Sequence, residues 1–280
     1  EYELNVGEIV QVMEMGQSRI SRHLKILSES GLVGVRRDGL WAFYRVSEEG
    51  PGRAFLNGVR ELMSGETELK RDRNRAEKVI LERTAATRQF FDDIAPEWDR
   101  MTAEVLGDLD LGREIQARLP ECDCAADIGC GTGDMLEILA RSSRSIIGVD
   151  NSPKMLELAE ERFSGDGHMS LRIGEMTHLP LRDWEADCTV MSLVLHHLAM
   201  PLDAIREAGR VLKIGGRLII AEFDQHDNEL MRSEYGDRRL GIPRESLCGW
   251  LEEARFDIRS VTEFTVNMGL VVVLYEAEKR

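Results

Sequence analysis

The residues best placed to do chemistry lie in Asp127-Ile128-Gly129-Cys130-Gly131-Thr132-Gly133, a run that follows an apolar strand-like segment and opens a helical pattern. Glycines there let the backbone approach a ligand closely and turn sharply into a helix. Asp150 lies seventeen residues beyond Gly133, at the end of a second apolar run, Ile146-Ile147-Gly148-Val149. An acidic side chain at a strand end can accept both hydroxyls of a ribose. A glycine loop alone suits a structural turn equally well; loop and acid in this order point to a ligand containing a nucleoside. His196-His197 and His226 each follow a later apolar run and are the candidates for an acid–base or acceptor-binding role. Packing and capping is the plainer reading of His197. A metal site built from the three histidines is not expected, because no helical or hairpin spacing sets them together.

These residues need a frame. From Cys124 onward, apolar runs at Ala125–Ile128, Ser145–Val149, Leu171–Ile173, Cys188–Ser192, Arg217–Glu222, Ile258–Thr262 and Leu270–Tyr275 read as strands. Helical patterns near Asp134–Arg141, Pro153–Phe163, Leu202–Leu212 and Arg244–Glu253 lie between most of them. Strand alternating with helix predicts an α/β fold with a doubly wound, Rossmann-like sheet.

The front of the chain follows another rule. Helical spacing covers Val6–Glu14 and Ser18–Ser30, with Gly16 between them and Gly31 at the second helix's C-terminal cap. Val33–Arg37 and Leu40–Val46 are short runs joined by Asp38-Gly39, a hairpin turn signal. Helix, tight turn, helix and hairpin is the order of a small winged helix-turn-helix domain. Trp41 and Phe43 are expected in its core. Pro51-Gly52 opens a further helix, and nine of the thirteen residues from Glu66 to Lys78 are charged, which reads as a solvated helical connector. The expected organisation is a winged domain over 1–64, a connector over 65–88 and an α/β domain over 89–280.

The net charge of −15 is unevenly spread. Residues 101–280 alone carry −13, whereas Gln17 to Arg45 is locally +4. An acidic protein with one basic stretch permits nucleic-acid binding only there. Five cysteines without paired spacing argue against a disulfide framework and fit a reducing cytoplasm. No apolar run reaches the roughly 20 residues of a membrane helix, so no membrane partner is expected.

D-I-G-C-G-T-G, then I-G-V-D-N-S, then A-G-R-V-L-K-I-G-G-R-L (Ala208 to Leu218) resembles the class I S-adenosylmethionine-dependent methyltransferases, particularly their UbiE-like branch. The loop is G-x-G-x-G, the methyltransferase form, rather than the dinucleotide form G-x-G-x-x-G. The resemblance implies a seven-stranded sheet whose last strand is antiparallel. S-adenosylmethionine or S-adenosylhomocysteine would lie at the carboxyl ends of its first strands. By the same resemblance the cofactor is held by Asp127, Gly129, Cys130, Gly131 and Gly133 of the loop. Asp150, Asn151 and Ser152 would join them from the second strand end, with Met155 just beyond. Glu175 and Met176 stand where the family contacts adenine. Met191 and Ser192, ahead of Val194-Leu195-His196-His197, match the segment lining the methyl-transfer pocket. Phe90 to Asp99 resembles the branch's lead-in segment, in which Trp98 is the aromatic that would cover the cofactor.

Gln17-Ser18-Arg19-Ile20-Ser21-Arg22-His23-Leu24-Lys25-Ile26-Leu27, followed by Gly31-Leu32-Val33 and Arg36-Arg37-Asp38-Gly39, is similar to the ArsR/SmtB-type bacterial repressors. Such proteins dimerise and place this helix in the major groove of operator DNA. The resemblance makes Gln17, Ser18, Arg19, Ser21, Arg22 and Lys25 the DNA contacts, and gives Arg36 and Arg37 to phosphates. His23 would orient the helix. The family's first helix is expected upstream of Glu1. The metal-sensing C-x-C of some members has no counterpart in Glu3-Leu4-Asn5-Val6-Gly7-Glu8.

The order of the two parts resembles bacterial fusions of an ArsR-type domain to a UbiE-like methyltransferase. The expected function is a homodimeric DNA-binding regulator whose second domain binds the cofactor and methylates, or only senses it for, a small-molecule pathway. Two alternatives stand beside it. One is a small-molecule methyltransferase whose winged part serves dimerisation alone. The other is a metalloid methyltransferase-regulator, against which Cys122, Cys124, Cys188 and Cys248 fall on different elements. No N-P-P-Y-type motif supports amino methylation of DNA.

Overall fold

The computed structural model describes residues 3–47, 49–63, 66–164 and 167–280, the side chains of 61–63 excepted. The chain divides into two units, Glu1–Ala86 and Thr87–Arg280.

The first unit opens with a two-residue strand β1 (Leu4–Asn5) and helix α1 (Val6–Met13). Asn5 and Glu8 form a reciprocal cap: Glu8 N donates to Asn5 Oδ1 at 3.0 Å, and Asn5 N donates to Glu8 Oε2 at 2.8 Å. This satisfies two of the helix's orphan donors. Helix α2 (Gln17–Glu29) buries Ile20 and Leu24 and ends at Gly31, whose φ of +71° suits a residue without Cβ. Strands β2 (Val33–Asp38) and β3 (Trp41–Val46) form the wing, with β1 on the other side of β3.

The wing departs from expectation in two places. The two turn residues are Gly39-Leu40, because Asp38 stays in the ladder opposite Trp41. Its carboxylate is drawn in by Arg36. Phe43 is buried, but Trp41 is 45% exposed because it sits at the hairpin tip, beyond the helices that could cover it. On α2, His23 is exposed.

Helix α3 (Gly50–Met63) follows, then α4 (Thr67–Ile94), a single 28-residue helix. The expected boundary at 64/65 lies outside the described residues. Within the first unit α4 is tied to α1 by Arg83–Glu8 at 2.9 Å and Arg75–Glu14 at 2.8 Å. Arg73–Glu77 at 3.0 Å is an i,i+4 pair on its surface, of a kind that contributes only a few tenths of a kcal/mol, about 0.3–0.5.

The second unit continues through a short 3-10 turn (Ala95–Glu97), α5 (Trp98–Leu106) and α6 (Leu111–Gln116). Its sheet is built from β4 (Cys122–Ile128), β5 (Ser143–Asp150), β6 (Met169–Ile173), β7 (Ala186–Ser192), β8 (Leu212–Phe223), β9 (Phe256–Thr265) and β10 (Val271–Lys279). Helices α7 (Asp134–Ala140), α8 (Pro153–Arg162), α9 (Pro201–Val211), α10 (Leu230–Glu234) and α11 (Arg244–Glu253) lie between the strands in sequence. The strand order is β6-β5-β4-β7-β8-β10-β9, and β10 runs antiparallel to both of its neighbours.

Both faces are covered, so strand residues alternate between two apolar layers. Ala126, Ile128 and Val149 pack with Ile205 and Leu247 on one side; Ala125, Ile146 and Val190 pack with Ile115 and Leu139 on the other. Strand order reverses at β4, which has β5 on one side and β7 on the other. The crevice at the carboxyl ends of those strands is where open α/β sheets bind ligands. The glycine loop, Asp150 and the histidine pair all leave strands at that end. Among the described residues no helix is long and apolar enough to cross a membrane.

Candidate functional site

The loop after β4 is held by strand hydrogen bonds: Gly129 N and Cys130 N both donate to Val149 O, at 2.7 and 3.0 Å. Gly129 has φ +78°, and a Cβ there would meet Val194 Cγ2 at 2.5 Å. Gly131 has φ +51°, with its Cβ position 3.7 Å from Trp98 Nε1. Only glycine fits the first position, and at the second the backbone stands open toward Trp98.

Asp150 accepts from Gly131 N at 2.9 Å and from Ser152 N at 2.8 Å. One carboxylate thereby fastens the glycine loop to the β5 end. Burial raises its pKa, against those backbone N–H groups that lower it. Asp127 has no such relief: both of its oxygens are buried without a hydrogen-bond partner. Burial first, then the neighbouring charges of Asp150 and Asp134, pushes it up to about 8.

The segment from Phe90 to Trp98 is fastened over this loop. Ser152 Oγ donates to Asp92 Oδ1 and Thr132 Oγ1 to Asp99 Oδ1, both at 2.5 Å. Arg162 pairs with Asp99 and Asp134 together. Phe91 packs edge-on to Trp98 at 5.4 Å and to His197 at 4.7 Å between ring centroids. Asn151 Nδ2 donates to Glu175 Oε2 at 3.2 Å, and Met176 Sδ lies 3.4 Å from the Gly129 Cβ position. The loop, Asp150, Asn151, Ser152, Glu175, Met176 and Trp98 therefore come together. Cys130, Met155 and Met191 have their side chains buried in the apolar packing behind them, Gly133 packs against Phe163, and Ser192 ends β7.

The histidine pair forms the other wall. His196 Nδ1 donates to Glu222 Oε1 at 2.5 Å, and its backbone N donates to Glu222 Oε2 at 3.1 Å. His196 Nε2 lies 3.4 Å from Asp237 Oδ1. Burial works to lower the His196 pKa, but Asp237 and Glu222 on its two sides outweigh it and push it up to about 9. His197 Nδ1 donates to the Gly236 carbonyl at 3.2 Å. Burial, and then the charge on His196, hold His197 well below the ordinary value, so its ring is neutral with the lone pair on Nε2. His226 does not join them. It packs edge-on to Phe223 at 6.2 Å, and its Nδ1 accepts from Asn228 N.

Glu222 and Asp237 escaped the sequence reading. Glu222 had a legible signal, a lone charge inside the apolar run Leu218–Phe223. Asp237 had none, because it lies in an irregular stretch and reaches His196 only in three dimensions.

In the first unit, Gln17, Ser18, Arg19, Ser21, Arg22 and Lys25 all lie on the exposed face of α2, and Arg37 is exposed in the wing. Arg36 is different. Its guanidinium pairs with Glu3 at 2.9 Å and with Asp38, and sits 4.5 Å over the Phe43 ring. Those partners already engage its charge, so it differs from the exposed Arg37.

Comparison with known proteins agrees with both parts. The family of bacterial regulatory proteins described as arsR matches residues 1–35, and a methyltransferase domain family matches 126–220. A demethylmenaquinone methyltransferase of Lactiplantibacillus plantarum is 34% identical over 153 residues, 51% of this chain and 65% of that protein. An uncharacterised 37.1 kDa protein in transposon TN4556 of Streptomyces fradiae is 34% identical over 152 residues, 53% of this chain and 39% of that one. The chain thus matches less than two thirds of either relative's length. Among solved structures, the [4+2]-cyclase SpnF superposes with a TM-score of 0.58 at 19% identity, over 68% of this chain and 94% of that one. A Methanosarcina mazei S-adenosylmethionine-dependent methyltransferase does so with 0.50 at 25% identity, over 61% and 99%. The chain therefore holds a segment that matches the arsR family of regulatory proteins and, after it, one that matches a methyltransferase domain family and is similar to demethylmenaquinone methyltransferase.

Proposed function

We propose that the protein is a homodimeric DNA-binding transcriptional regulator whose second unit binds S-adenosylmethionine or S-adenosylhomocysteine. The observation that carries this reading is the buried carboxylate of Asp127, unpartnered beside a glycine loop that Asp150 ties to β5. A nucleoside cofactor with an amino-acid tail supplies what this cradle lacks. Its ribose hydroxyls suit the lone pairs left on Asp150, and its hydrogen-bond donors suit Asp127. Glu175 and Met176 flank the adenine end, and Trp98 and Phe91 cover the site. Operator DNA is the partner of the exposed α2 face, which is basic in an otherwise acidic chain.

The histidine wall favours a second activity, methyl transfer to a small-molecule acceptor. When bound, S-adenosylmethionine offers an activated sulfonium methyl. Trp98 and Phe91 exclude water, and the loop and Asp150 hold the geometry, which supplies most of the rate. His197 Nε2 is the lone pair available to activate an acceptor, in a ring whose tautomer Gly236 fixes. His226 serves at most a more distant part of that pocket. The fold alone does not name the reaction, since a [4+2]-cyclase shares it. The metalloid reading has less support: Cys188 is fully buried, and among the described residues no three thiols converge.

Calorimetric titration of the full chain with each cofactor, with and without DNA from upstream of its own gene, tests the regulator reading. A cofactor affinity that changes with DNA supports it, by reciprocal linkage. Equal affinity in both conditions removes it and leaves an enzyme whose winged part serves dimerisation.

A further inference from the structure

We propose that His196, His197 and Asp237 form a binding site for one divalent transition-metal ion of the zinc and iron(II) class. All three are buried, and one ligand atom from each lies within 4.8 Å of the others. His196 Nε2 and Asp237 Oδ1 stand 3.4 Å apart. Two ligands of a tetrahedral ion, each about 2.0–2.2 Å from it, are separated by roughly that distance.

The stronger argument is the far side of each ring. Histidines that ligate a metal almost always donate their other N–H to a carboxylate or a backbone carbonyl. His196 gives Nδ1–H to Glu222 at 2.5 Å, and His197 gives Nδ1–H to the Gly236 carbonyl at 3.2 Å. Both rings therefore present Nε2 inward. Glu222 is itself fixed, since it accepts the backbone N–H groups of His196 and Phe223. His197 Nε2 is buried without a hydrogen-bond partner. A bound ion would take the place of the Nε2 proton that His196 holds toward Asp237; two imidazoles with one carboxylate then suit zinc, iron(II) or cobalt, whereas magnesium and calcium select oxygen donors. Three protein ligands leave a position open, the pattern of reactive rather than structural sites. The His197 ring lies beside Phe91, with the His196 ring 4.0 Å behind it, on the wall where an acceptor would enter. There a bound cation, taking up the His197 Nε2 lone pair that would otherwise serve as the base, would hold the acceptor's oxygen or sulfur and ease loss of its proton to water, a step that rests on the methyl-transfer reading.

The test uses the full chain, stripped with chelator, dialysed and titrated with cobalt(II). Visible absorption, and metal content after equilibration with zinc, are read out. One cobalt per chain, displaced by zinc, is the expected result. Asp237→Asn and His197→Gln should each weaken it at least tenfold with an unchanged far-ultraviolet spectrum. Replacing the exposed His23, His168 and His178 together should leave it intact. No retained ion, or an affinity that neither variant changes, overturns the site. Should a variant unfold, X-ray absorption of the cobalt-loaded wild type decides: imidazole scattering supports the site and all-oxygen ligation overturns it. S-adenosylhomocysteine binding on the same samples separates the two readings, because either can fail while the other stands.

Discussion

His196 and Glu222, twenty-six residues apart, meet through two hydrogen bonds, one from the ring at 2.5 Å and one from the backbone at 3.1 Å. The carboxylate of β8 thereby fixes both the position of the turn after β7 and the direction in which its first histidine points. Glu222→Ala would strand those two donors and Phe223 N as well. Removing one partner of a buried charged pair costs about 3–5 kcal/mol. The expected result is a drop in melting temperature of ten degrees or more, measured by calorimetry. Glu222→Gln, which keeps an acceptor, should lose clearly less.

Asp127 gives a pH-dependent signature. Burial raises its folded pKa to about 8, from an ordinary carboxylate value of 3.8. The unfolded chain therefore releases this proton first, and the fold loses stability as pH rises from about 4 to about 8, then levels off. Asp127→Asn removes the penalty. Without cofactor the variant should be more stable than wild type at pH 7, by on the order of 3 kcal/mol, with the gap closing below pH 4. Denaturant melts across pH check this; a gap independent of pH would refute it.

Asp150 and Arg22 separate the two binding functions. Asp150→Ala should weaken cofactor binding about 10- to 100-fold, the worth of lost hydrogen bonds to a charged acceptor, and spare DNA binding by the winged unit. Arg22→Ala, exposed on α2, should do the reverse. Calorimetry and gel shift on the same preparations read both.

Arg36 and Arg37 are neighbours with different expected behaviour. Arg37→Ala should lower the salt dependence of DNA binding by about one counterion. Arg36→Ala should leave that slope unchanged and instead lower the melting temperature of the winged unit, because its partners are Glu3 and Asp38.

Gly129→Ala places a methyl 2.5 Å from Val194 Cγ2 at a φ of +78°. Strain of about 1–3 kcal/mol is expected from the backbone alone. The loop should shift, with loss of cofactor affinity beyond tenfold. Gly249→Ala, in the middle of α11 with open space around it, is the control and should be neutral or slightly stabilising.

The amino-acid sequence by itself determined what local rules govern. Alternating apolar runs set the seven strands and the helices between them, and helical and hairpin spacing set the winged part. The glycine run marked a sharp turn into a helix, and Asp150 the end of the second apolar run. Each of these depends on residues within a few positions of one another. Tertiary structure decided which charges meet. It drew Arg36 to Glu3 and Asp38. Most of all it set Glu222 and Asp237 on the two sides of His196, from strand and loop positions 26 and 41 residues downstream. Such pairs form because strand order brings distant chain ends to one edge of a sheet, and because a buried charge without a partner costs several kcal/mol. That cost is invisible along the chain until the fold has said which residues lose their water.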